Sequence, residues 1–138
     1  MGETCEVVAL GREDVCLEYK KLLTAYDLLT LDKTKKALAD DVEFVKDASM
    51  RALLSDAGKL LLSVEKNAFD DIEAGVKGFD VAQLDSLASS DADRAKLVKA
   101  VKGDTASVLA AAKKREASPT ARAAIKLCND LSAFANGL

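Results

Sequence analysis

Histidine and tryptophan are absent from the 138 residues, proline occurs once, and aromatic residues make up only 4%. Without histidine the chain holds no Ser-His-Asp triad, no Cys-His nucleophile pair and no histidine-ligated haem. The HExxH zinc site and the Glu-x-x-His motif of di-iron bundles are excluded for the same reason. The scarcity of aromatics argues against a β-sandwich, whereas the abundant alanine and leucine suit closely packed helices.

Long apolar runs are also missing. The "LLL" at Leu60 to Leu62 falls far short of the roughly 18 residues that a membrane span needs. Met1 to Asp14 starts acidic and carries only a short apolar stretch, so no secretory signal is expected. Gly2 does not make a myristoylation motif, because Glu6 stands where Ser or Thr is required. Three cysteines, Cys5, Cys16 and Cys128, form no CxxC pair, which fits a reducing compartment and a cytoplasmic location. Cys16 and Cys128 are expected to be small core residues.

The chain reads as all-α, a single domain over 1–138, with about six to eight helices in one bundle. Longer helices are expected in the first half and shorter ones after Gly78, with 1–10 an arm or a short extra helix. Val15, Tyr19, Leu22, Tyr26 and Leu29 recur every three or four residues, predicting a helix with that stripe in the core, and Glu13 and Asp14 suit its N-terminus.

From Lys33 to Phe69 there is no proline and only one glycine. One helix over 33–64 would be about 50 Å long, too long for a compact chain of this size. Leu38, Val42, Val45 and Ala52 define one face, while Leu53, Ala57, Leu60, Leu61, Val64 and Ala68 define another about a quarter turn away. Ser55 can cap a helix and Gly58 weakens one, so the predicted break lies near Ser55.

Phe69, Ile72 and Val76 outline a helix ending at Gly78; Asp80 and Gln83 have capping-box spacing before Leu84 and Leu87. Ser90 or Asp91 starts a helix expected to stop at Gly103, with another from Asp104 or Thr105. Ser118 and Pro119 open the last one, whose Ala121, Ala124, Ile125, Cys128, Leu131 and Ala135 share a face widened by Leu127 and Phe134.

No catalytic, cofactor-binding or metal-ligating constellation emerges, and no cofactor is implied. "DDIEAGVKGFD" has the look of a calcium loop, but with Gly75 at the turn Ile72 falls on a ligand position. The Gly58-Lys59 pair lacks the rest of a phosphate-binding loop. The carboxylates Asp40, Asp41, Glu43 and Asp47, and Asp70, Asp71 and Glu73, read as solvated helix faces.

Charge is unevenly spread. Residues 1–93 carry 11 basic and 20 acidic side chains, net −9, and residues 94–138 carry 9 basic and 3 acidic, net +6. Lys96, Lys99, Lys102, Lys113, Lys114 and Arg115 are the candidate contacts for an anionic partner. The expected function is a non-enzymatic protein-interaction or assembly module, self-associating through this polarised charge. The alternatives are an accessory protein that binds RNA or other nucleic acid through the basic C-terminal part, weakened by the lack of interleaved aromatics, and a carrier of a small apolar ligand.

Overall fold

In the computed structural model, which describes residues 22–138, the first helix starts where Thr24 and Asp27 cap each other. The Asp27 amide donates to Thr24 Oγ1 and the Thr24 amide donates to Asp27 Oδ2, both at 3.0 Å. This reciprocal pairing satisfies two backbone donors that a helix start would otherwise leave bare. Six helices follow: α1 (Ala25–Phe44), α2 (Ala48–Glu65), α3 (Phe69–Lys77), α4 (Ala82–Ala88), α5 (Ala92–Lys113) and α6 (Ala117–Asn136). No strand occurs among the described residues.

The chain is an all-α bundle, as its composition implies, but several details differ from the sequence expectation. α1 begins at Ala25, and its buried residues are Asp27, Leu31, Thr34 and Leu38. That face lies about 140° around the helix from Tyr26 and Leu29, taking 100° per residue. Leu22, Tyr26 and Leu29 are 61%, 70% and 55% exposed, so the described part of the predicted core stripe faces outward. Val15 and Tyr19, the acidic pair Glu13 and Asp14, Cys5, Cys16 and the arm at 1–10 lie outside the described residues.

The 33–64 segment is two helices, but the break is at Val45 to Asp47 rather than near Ser55. Val45 adopts extended backbone, and Asp47 then caps α2 by accepting from the Met50 amide at 2.8 Å. Ser55 and Ala52 sit on the exposed side of α2. The inner face is one unbroken stripe of Met50, Leu53, Leu54, Ala57, Leu60, Leu61 and Val64, which packing preserves through Ser55 and Gly58. The two helices fold back on each other, as the ion pair between Lys35 Nζ and Glu65 Oε2 at 3.0 Å shows.

α3 and α4 are short. α3 buries Ile72 and Val76 and ends at Gly78, as its sequence suggests. At α4 the expected capping box is replaced by a side-chain bond from Gln83 Nε2 to Asp80 Oδ2 at 2.8 Å. Asp91 does cap α5, accepting from the Arg94 amide at 3.0 Å. α5 runs through Gly103 without a break and, at 22 residues, is the longest helix, so the long elements are not confined to the first half.

α6 starts at Ala117, two residues ahead of Pro119, and carries the most buried face of the bundle. Ala121, Ala124, Ile125, Leu127, Cys128, Leu131, Phe134 and Ala135 are all buried there, as their periodicity predicts. This face packs against α5, α1 and α2, which makes α6 the central element. Burial pushes the Cys128 thiol up to about 12, so it remains neutral and behaves as a small core side chain.

Candidate functional site

Three surface features and two buried aspartates combine side chains in ways that packing alone does not require. The first is the outer side of α5. Lys96, Lys99, Lys102 and Lys113 fall within about a third of its wheel at 100° per residue. This arc faces away from the buried Val101, Val108 and Ala112, and its Lys102 edge lies about 40° from the buried Val98. Lys114 and Arg115 follow in the turn to α6, and all six predicted basic residues are exposed.

Two of the six are engaged within the fold. Lys102 Nζ pairs with Asp85 Oδ2 at 3.0 Å, and Arg115 Nη2 pairs with Asp70 Oδ1 at 2.6 Å. The Arg115 guanidinium also lies 5.6 Å from the centre of the Phe69 ring. Lys96, Lys99, Lys113 and Lys114 make no ion pair among the described residues. The structure therefore aligns the lysines of α5 on one side and ties down the stripe at Asp85 and Asp70.

The second feature is apolar. Leu22, Tyr26, Leu28 and Leu29 crowd the start of α1 and are each at least 40% exposed. The third lies at the opposite end of that helix, where Phe44, 80% exposed, borders a groove of about 630 Å³ with Val45, Leu87, Ala135 and Leu138. Lys46, Asp47 and Asn136 supply its polar lining.

The carboxylates read as solvated faces divide into two kinds. Asp40, Glu43, Asp70 and Asp71 are exposed, while Glu73 is half-buried. Asp41 is also half-buried and accepts from the Ser132 hydroxyl, which links α1 to α6, and Asp47 serves as the α2 cap.

Sequence reasoning missed the buried aspartates. Asp27 accepts from Ser118 Oγ at 2.8 Å and from Arg122 Nε at 3.5 Å, joining the start of α1 to α6. Burial by itself raises this carboxyl. The Thr24 amide, the Ser118 and Thr24 hydroxyls and the Arg122 charge outweigh that cost and hold it below the usual aspartate value. Its signal was the Thr24-x-x-Asp27 spacing.

Asp104 is the other buried acid among the described residues, at 5% exposure, and it sits in register with Val101 and Val108 on α5. A carboxylate inside an apolar stripe was the available signal, but a helix boundary placed at Gly103 conceals it. Among the described residues no group of three or more Cys, Asp or Glu is placed to hold a metal ion. Likewise no described helix is long and apolar enough to cross a membrane.

No protein-family model, no curated protein and no solved structure matches this chain.

Proposed function

We propose that this chain is a protein-interaction module whose docking surface is the apolar patch at the start of α1. The observation that carries this reading is the outward face of Leu22, Tyr26 and Leu29, exposed at 61%, 70% and 55%. These side chains have the spacing of a buried stripe, yet the core is served by Leu31, Thr34 and Leu38 on another face. Apolar residues grouped on a surface are a common mark of a binding site, and tyrosine is a frequent anchor in one.

Charge-driven self-association, the form expected from the net −9 and net +6 segments, has less support. Lys102 with Asp85, Arg115 with Asp70, and Arg122 with Asp27 join the two segments inside one molecule. A second reading, contact with an anionic partner, rests on the alignment of Lys96, Lys99 and Lys113 along α5.

Affinity capture with the wild type, with Tyr26→Glu/Leu29→Glu and with Lys96→Glu/Lys99→Glu/Lys113→Glu separates the two readings. Apolar docking loses its partner in the α1 variant, keeps it in the α5 variant and survives high salt. The reverse pattern, with binding abolished as screening shortens to about 3 Å near 1 M salt, supports the anionic partner and overturns the first reading. Sedimentation of the same variants shows whether the captured partner is a second copy of the chain.

A further inference from the structure

The contact between α5 and α6 contains a polar group left incompletely satisfied. Asp104 Oδ1 accepts from Lys126 Nζ at 2.8 Å, but Asp104 Oδ2 is buried with no hydrogen-bond partner among the described residues. Lys126 also donates to Asp130 Oδ2 at 3.2 Å, so one ammonium group serves two carboxylates. Its side chain is 65% exposed, and water screens its charge, whereas the Asp104 side chain is 7% exposed. Of the other helices packed on α5, α3 presents Asp70 and α4 presents Asp85. Those acids engage Arg115 and Lys102, leaving Lys126 and Asp130 as the charged groups that act on Asp104.

We propose that Asp104 and Asp130 form a pH-sensitive latch between α5 and α6, closed when Asp104 holds a proton and strained when both carboxyls are ionised. A proton on Asp104 removes a buried charge and supplies a donor to a pair of groups that otherwise only accept. Burial is the main cause that favours this proton, and the neighbouring Asp130 adds to it. Lys126 opposes both without overcoming them, and the carboxyl is pushed up to about 6.

The direction of the pH effect follows from this sign. Between the usual aspartate value of 3.8 and about 6, folded Asp104 retains a proton that the unfolded chain has released. Stability from this group is therefore greatest at the acidic side of that window and falls as pH rises through it.

Two measurements test the latch on the full chain. In the wild type, the carboxyl-carbon NMR signal of Asp104 titrates with a midpoint near 6. Its urea-unfolding constant rises about tenfold between about pH 5 and about pH 8 from this group. Asp104→Asn, which cannot ionise, abolishes that rise. Asp130→Asn moves the Asp104 midpoint toward acid, and Lys126→Met moves it toward base, so the assignment holds even if the first variant fails to fold. A wild-type midpoint in the ordinary aspartate range, or an unchanged midpoint in both neighbouring variants, overturns the latch. So does a tenfold rise that persists in a folded Asp104→Asn protein.

Discussion

Leu22 and Leu54 show why a residue's periodicity does not by itself give its energetic role. Both belong to helically spaced apolar patterns, but Leu54 is fully buried in α2 whereas Leu22 is 61% exposed ahead of α1. Leu54→Ala is expected to destabilise the fold by about 2–5 kcal/mol, because it removes buried methyl groups and leaves a cavity. Leu22→Ala should shift stability by about 0.5 kcal/mol or less. Urea denaturation of the two variants checks the contrast, and equal losses would put Leu22 back in the core. The same distinction separates Asp27 from Asp104. Asp27 has Thr24, Ser118 and Arg122 to stabilise its charge, so its contribution is present above the usual aspartate range and is lost as pH falls below it. Asp104 has only the exposed Lys126 to set against its burial and Asp130, and it works in the opposite direction.

At the scale of helices, glycine and serine were the misleading punctuation. Gly58 and Gly103 both lie inside α-helices, and a Cβ built at either meets nothing within 4 Å. No close approach requires these glycines, and neither has a positive φ. Gly58→Ala and Gly103→Ala should each stabilise the fold by about 0.5–1 kcal/mol through helix propensity. A rise in the thermal midpoint of each variant is the expected reading; a fall would reveal a helix bend that needs glycine. The true break at 45–47 contains neither glycine nor proline and is marked by the Asp47 cap alone. The quarter-turn shift between the two apolar faces showed that a break was needed, while its location depended on how α2 packs. α6 was the most legible element because eight apolar residues agree on one broad face. α1 was the least, since its core contacts include Asp27 and Thr34. Thr34 shares the buried face, and its hydroxyl is satisfied there by donating to the Thr30 carbonyl at 2.8 Å.

Across the whole molecule, the separation of charge along the sequence becomes a means of fitting the two halves together. The acidic first part meets the basic second part at Asp27–Arg122, Asp70–Arg115 and Asp85–Lys102. A linear count of charge cannot distinguish such internal pairing from a polarised surface, because both produce the same net values. Arg115 and Asp70 give a direct test: their side chains are 49% and 87% exposed, so their 2.6 Å ion pair is screened by water. Its coupling should be about 0.2–1 kcal/mol, in the range of exposed pairs. Arg115→Glu should destabilise the fold by placing like charges together, and the added Asp70→Arg change should restore much of the loss. Such a double-mutant cycle isolates the pair from the other effects of each substitution. The coupling should shrink as salt shortens the screening length from about 10 Å at 0.1 M to about 3 Å at 1 M. No restoration at low salt would mean that the two charges act independently, and Arg115 would then return to the surface available to an anionic partner.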